Sequence, residues 1–176
     1  KLAGLIAGRR QPIGWGQGND FVDFYDAKGI VEELFAALRI SRYTMERGTH
    51  FALHPGKTAA FKKGREIIAV VGEVHPAVMA DKKMYIFEMD LMTLMKYAAG
   101  KLSAQTIPRY PAITRDLALS VAKDIPAADI ERVIKKNAGS HFRDICLFDV
   151  YTGRQVAEGE KSMAFSLQFQ SDDRTL

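Results

Sequence analysis

The chain has few of the residues that build covalent or metal-centred chemistry: one cysteine, one tryptophan and four histidines in 176 residues. A single cysteine excludes an internal disulfide framework and any multi-cysteine zinc site, and it fits a reducing compartment. Cys146, set in a strand-like pattern, reads as a small hydrophobe. No apolar run approaches about 18 residues, so no segment reads as a membrane span, and the mean hydropathy is -0.12. Only 6 prolines and 14 glycines are present, which excludes collagen-like and linker-like compositions. The glycines that do cluster, Gly14, Gly16 and Gly18, lack both the Gly-Lys-Ser/Thr ending of a P-loop and the spacing of a dinucleotide fingerprint. That stretch reads as a flexible loop.

What is present suits a soluble globular protein of one ordinary domain or two small ones: 47% hydrophobic and 26% charged residues. Charge is uneven. Residues 1–104 hold 15 Lys and Arg against 11 Asp and Glu, whereas residues 105–176 hold 10 of each. A pI of about 9.2 permits a nucleic-acid partner without requiring one. The chain starts inside the apolar stretch Leu2–Ala7, without Met or a leader, and stops at Thr175-Leu176. Both ends read as cut, and the expectation is a piece of a longer protein.

Hydrophobic spacing predicts an opening strand, then a helix over about Asp23–Leu38 with Ile30, Val31, Leu34, Phe35 and Leu38 on one side. Strands are predicted at Tyr43–Arg47, Ile67–Val71 and Tyr85–Met89, the second as a buried run. Asp90 caps a short helix with Leu91, Leu94, Met95 and Ala98 on its apolar face. The order lacks regular βαβ spacing, which favours an antiparallel α+β arrangement. A seam from Gly100 to Pro111 follows. Beyond it come a strand at Asp116–Val121, with Leu117, Leu119 and Val121 on one face, and a helix starting near Asp124 and Pro126. Ile130, Val133 and Ile134 form the apolar side of that helix, and Gly139 ends it. Strands at Ile145–Tyr151 and Lys161–Gln170 complete a β-α-β-β order, one helix and one strand short of a ferredoxin-like split βαβ. Its helix covers one sheet face and leaves the other open.

Three constellations bear on chemistry. His50, His54 and His75, with Glu46 and Glu73, would supply metal ligands, but the histidines border turns and not a His-Glu-x-x-His helix; a structural role is expected and no metal. No Ser lies in a Gly-x-Ser-x-Gly elbow and no activated Cys is evident, so no catalytic residue is assigned. On the open face of the second part, Asp149 and Tyr151 point outward if Phe148 and Val150 point into the core, and Ala118 and Ser162 lie on the same side. A carboxylate accepts the N1–H and N2–H donors of guanine, and a tyrosine ring stacks on an unpaired base. The alternative reading, an exposed strand end that carries no ligand, stays open on these residues alone.

Phe24-Tyr25-Asp26-Ala27-Lys28-Gly29, Leu53-His54-Pro55-Gly56-Lys57, Val71-Gly72-Glu73-Val74-His75-Pro76, the segment Pro108–Ala118, Leu147-Phe148-Asp149-Val150-Tyr151 and Lys161-Ser162-Met163-Ala164-Phe165 resemble, in order, the bacterial phenylalanyl-tRNA synthetase beta subunit family. The resemblance covers nearly the whole chain and places it in the C-terminal part of that subunit. It implies an α+β protein in two parts. Residues 1–104 would be part of a non-catalytic, degenerate class II synthetase-like core. Residues 105–176 would be a ferredoxin-fold anticodon-binding domain without its final helix and strand. The implied partners are a catalytic alpha subunit, in an (αβ)2 tetramer, and tRNA(Phe), with no membrane involved. The implied setting is protein biosynthesis in the cytoplasm. ATP and magnesium are implied for the whole ligase and no cofactor for this piece. At matching positions the resemblance assigns guanine contacts at the first anticodon position to Ala118, Asp149, Tyr151 and Ser162. Arg109, Arg115, Lys135, Lys136, Arg143 and Arg154 are the candidate phosphate contacts. The rival readings are a general single-stranded RNA binder, a purely structural interaction domain, and a metal hydrolase built on the histidines.

Overall fold

The computed structural model describes residues 1–98, 108–153 and 156–176. The chain divides into two compact units, Lys1–Leu102 and Ser103–Leu176. Most of the expected seam, and the expected division at 104/105, lies outside the described residues.

The first unit begins with β1 (Leu2–Ala7) and a loop, then α1 (Phe24–Ala37). Asp23 starts this helix by accepting the N–H groups of Tyr25 at 2.7 Å and Asp26 at 3.1 Å, and Asp26 accepts the N–H of Asp23 at 2.7 Å in return. This reciprocal cap satisfies donors that the first turn leaves without helical partners. Four strands follow: β2 (Thr44–Arg47), β3 (Leu53–Lys63), β4 (Glu66–Val74) and β5 (Met84–Met89); α2 (Leu91–Tyr97) comes last, capped by Asp90. The sheet is antiparallel throughout, in the order β1-β5-β4-β3-β2. Helix α1 buries Ala27, Val31 and Phe35 against Phe61, Val71, Phe87 and Met89. Phe35 meets Phe61 edge to face at 5.3 Å, and Tyr43 closes the aromatic group at 5.1 Å from Phe35.

Strand β3 has no counterpart among the strands expected from the sequence, where His54 borders a turn at Pro55-Gly56. The pairing of β3 with β4 is interrupted between Leu53 and Thr58, so the Pro-Gly signal marks an irregularity within the strand and not its end. Several residues expected on buried faces are exposed: Ile30, Ile67, Leu91 and Met95. One helix face and one sheet face supply this core, and apolar residues outside them stay at the surface.

The second unit contains β6 (Ile113–Ala122), α3 (Ala127–Asn137), β7 (Phe142–Tyr151) and β8 (Glu160–Phe169), with the sheet ordered β6-β8-β7 and antiparallel. Gly139 adopts φ +83° just past the end of α3, the left-handed turn that stops a helix and suits glycine. The core is small. Ile130 of α3 packs with Met163, Phe165 and Leu167 of β8, flanked by Leu119, Ile134, Ile145 and Leu147. Val133, expected on the buried side of the helix, is 61% exposed, and Leu117 is also exposed.

Candidate nucleic-acid interface

Directly paired residues on neighbouring strands share a face, so the register of the second sheet assigns its open side. Met163, Phe165 and Leu167 are buried beneath α3, which puts Ser162, Ala164 and Ser166 on the opposite face. Ala118, Ala164 and Asp149 lie side by side across β6, β8 and β7; Ser120, Ser162 and Tyr151 form the next row. Strands are roughly 4.8 Å apart and same-face rows about 6.8 Å apart. All four residues expected to contact guanine therefore lie on one face, within two adjacent rows.

A bulge in β7 makes this arrangement. Leu147 pairs with Phe165 and Asp149 with Ala164, so Phe148 is the extra residue. Ile145 and Leu147 pack into the core; unbroken alternation would carry Asp149 and Tyr151 inward after them. The inserted residue reverses the alternation and turns both side chains to the open face. The expectation that Phe148 points into the core is thereby corrected: it is 56% exposed at the bulge. Val150 pairs with buried Met163 and shares its face, but it remains half exposed. Cys146, expected as a buried small hydrophobe, is exposed and pairs with Ser166 on the open side.

Among the described residues, Asp149, Tyr151 and Ser162 make no side-chain hydrogen bond or ion pair with protein groups. The first unit is different. Glu73 is buried at 8% exposure, accepts both bonds of Lys57 Nζ at 2.8 Å and lies 3.4 Å from the Tyr85 hydroxyl. The hydrogen bond to Glu73 holds the Lys57 ammonium above its usual range. Burial, then the charge of Glu73, raises the Tyr85 phenol. These groups border a cavity of about 430 Å³ with Asp23, Phe24 and Tyr25, but their polar atoms are already paired. The three histidines are likewise engaged: Nδ1 of His50, His54 and His75 accepts the backbone N–H of Ala52, Gly56 and Ala77 at 3.3, 3.0 and 3.1 Å. Among the described residues no group of three or more His, Cys, Asp and Glu is placed to hold a metal ion.

The candidate phosphate contacts scatter. Lys135 and Lys136 belong to α3, on the side of the sheet opposite the open face, and Lys135 pairs with Glu131 at 3.0 Å. Arg143 pairs with Asp172 at 2.9 Å. Arg115 donates to the carbonyl of Thr114 at 3.1 Å, and Arg109 is exposed before β6. Arg154 lies outside the described residues. The register adds Ser120, Ala164 and Asp116 to the open face. The alternation of β6 already grouped Asp116 and Ser120 with Ala118, but nothing in the sequence marked them as a site.

Comparison with known proteins accounts for both units. Residues 1–91 match the family described as the phenylalanyl tRNA synthetase beta chain CLM domain, and residues 108–176 match the ferredoxin-fold anticodon binding domain. The phenylalanine–tRNA ligase beta subunit of Syntrophotalea carbinolica is 37% identical over 181 residues, covering 100% of this chain and 22% of that protein. Those of Latilactobacillus sakei and Pseudomonas fluorescens are 37% and 38% identical over 99% of the chain, again 22% of each relative. The chain thus spans about a fifth of the length of these relatives. It belongs to the phenylalanyl-tRNA synthetase beta chain family.

Proposed function

We propose that this chain is the C-terminal part of a phenylalanine–tRNA ligase beta subunit, and that its second unit recognises the anticodon of tRNA(Phe). In this reading residues 105–176 are the anticodon-binding domain and residues 1–104 part of a non-catalytic core domain. Asp149 accepts the N1–H and N2–H of an unpaired guanine at the first anticodon position, while the Tyr151 ring stacks on the base. Ala118 leaves room for the base, and Ser162 supplies a hydroxyl. Adenine presents an acceptor at N1, so Asp149 would face a lone pair and both groups would lose hydrogen bonds on desolvation.

One observation carries the reading: a carboxylate, a ring and a hydroxyl share one open face without partners among the described residues. That face belongs to a unit matching an anticodon-binding domain. Its third strand presents Ser162, Ala164 and Ser166, not the paired aromatics of a general single-stranded RNA platform.

The first unit packs on a catalytic alpha subunit within an (αβ)2 tetramer. Its exposed Ile13, Trp15, Phe21, Met92 and Met95 leave apolar surface available for such packing. The assembly would work in the cytoplasm and join phenylalanine to tRNA(Phe) with ATP and magnesium. The donor groups described above do not fit magnesium, and no step of the chemistry is assigned to this chain.

Binding of an anticodon stem-loop to the intact protein, with guanine or adenine at the first anticodon position, tests the reading. Wild type should prefer guanine, and Asp149→Ala should erase that preference. Equal, salt-sensitive binding of both loops by wild type would overturn anticodon readout and leave the packing role.

A further inference from the structure

Tyr151 closes β7, and its side chain leans along the strand toward Gly153. A Cβ built at Gly153 would fall inside the van der Waals envelope of the tyrosine. Its three nearest atoms would be Oη, Cζ and Cε2 of Tyr151, the last at 2.8 Å. Gly153 has no positive φ, so its backbone does not require glycine. The missing side chain matters only for the ring that rests there. Tyr151 is 42% exposed, and the hydroxyl end of its ring lies over Gly153. Across the strand its partner is Ser162, and Ser120 lies beyond, so no bulky neighbour on that row holds the ring from the other side.

We infer that Gly153 is a positioning residue for base recognition, a seat that fixes the Tyr151 ring where it can stack on the guanine held by Asp149. The inference rests on the proposed anticodon reading and deepens it. A ring fixed before binding has less rotamer freedom to lose when the base arrives. Any side chain at position 153 moves the ring, because the far end of a tyrosine gives way more readily than backbone. The fold loses little, and the stacking geometry is lost.

A double-mutant cycle in the intact protein tests this, with affinity for the guanine stem-loop as readout and a thermal midpoint for each variant as control. Tyr151→Ala should weaken binding roughly 5- to 150-fold, the range for loss of one base–aromatic stack. Gly153→Ala should weaken it by a sizeable part of that factor. In the Tyr151→Ala background, Gly153→Ala should have no further effect, because the ring it displaces is gone. Full additivity, or an unchanged affinity in Gly153→Ala, would overturn the seat while the Tyr151 contact stands. Unfolding of the double variant would show a structural need for glycine and would also overturn it. If Tyr151→Ala binds like wild type, the stacking role falls, and the seat falls with it.

Discussion

The two units differ in their sheet carboxylates, although the second also pairs Glu131 with Lys135 and Asp172 with Arg143. In the first, carboxylates are committed to the fold: Asp26 to Arg10 and the cap of α1, Glu73 to Lys57, and Glu66 to Lys96 and Tyr97. Paired and partly buried, these groups set geometry and leave little for a ligand. In the second, Asp116 and Asp149 stand on an open face with no partner among the described residues, above a core of four buried hydrophobic residues. Polar groups left unpaired on a small sheet are available for recognition. On the proposed reading, the contrast separates a unit for packing from a unit for recognition.

The largest test of this contrast lies in the cores. Phe35 and Phe165 are both fully buried, and truncation of a buried phenylalanine to alanine costs about 3–5 kcal/mol. Phe35→Ala should loosen α1 and β3–β5, which have a broad core to fall back on. Phe165→Ala removes the centre of a four-residue cluster and should unfold β6–β8, abolishing RNA binding. Hydrogen exchange resolved by segment would report this; equal protection of β6–β8 in both variants would break the comparison.

Next in size is the difference between a committed and an available carboxylate. Asp149→Asn should leave stability within about 0.5 kcal/mol, as surface changes do, yet cost about 1.5–3 kcal/mol of guanine binding, the value of a hydrogen bond to a charged group. Glu73→Gln should do the reverse, lowering the unfolding midpoint of the first unit by a few degrees and leaving stem-loop affinity unchanged. Paired denaturation and binding curves decide it. A loss of RNA affinity in Glu73→Gln, or of stability in Asp149→Asn, would merge the two classes.

Helix starts give a smaller effect. Asp23→Ala should destabilise the first unit by about 1 kcal/mol, because two backbone donors lose their acceptor. Helix α3 begins at Pro126 with no side-chain cap, so Pro126→Asp should stabilise the second unit by a few tenths of a kcal/mol or more. Urea midpoints measure both.

Acid should act on the first unit through the same cap. Hydrogen bonds from Arg10 and from the Asp23 N–H hold the Asp26 carboxyl below its ordinary value of 3.8. A carboxyl whose folded value is depressed adds stability above its unfolded value, and that stability is lost as pH falls through the folded one. The first unit should therefore weaken below about pH 3.8, and Asp26→Asn should flatten that part of the stability–pH curve. An unchanged slope in Asp26→Asn would assign acid sensitivity to other carboxylates.

Much of this was legible in the sequence wherever one signal dominated. Helical spacing of Val31, Leu34, Phe35 and Leu38 announced α1, Asp90 announced α2, and Met163, Phe165, Leu167 and Phe169 announced β8 by strict alternation. Alternation and family likeness agreed on Ala118 and Ser162, whereas alternation turned Asp149 and Tyr151 outward only on the premise of an inward Phe148, which the bulge overturns. What escaped was longer in range. Strand β3 hides behind a Pro-Gly pair that normally ends strands. The bulge at Phe148 shows only in the pairing of β7 with β8, and an apolar residue at the extra position reads as core. Gly153 carries no local signal at all, since its reason is a ring two residues back. Exposed Ile67 and Val133 have strand and helix spacing without a partner layer to cover them.

The smallest expected effect concerns the cations, and it sharpens where RNA touches the second unit. Each phosphate contact made by a single strand steepens the dependence of log affinity on log salt by about 0.7. Lys136 belongs to α3, which covers the face opposite Asp149, so Lys136→Ala should leave the slope unchanged. Arg143 already answers Asp172, so its replacement should shift the slope by less than one full contact. Arg109 is exposed just before β6 and has no carboxylate partner among the described residues. If the backbone passes that end of the sheet, Arg109→Ala should flatten the slope by about 0.7 and lower affinity for guanine and adenine loops alike, because a phosphate contact carries no base identity. Arg115 pairs with buried Leu167 and so shares the helix-side face, and Arg115→Ala should leave the slope unchanged. A flattened slope in Lys136→Ala instead would put RNA on the helix side, and Asp149 could not then be the guanine acceptor.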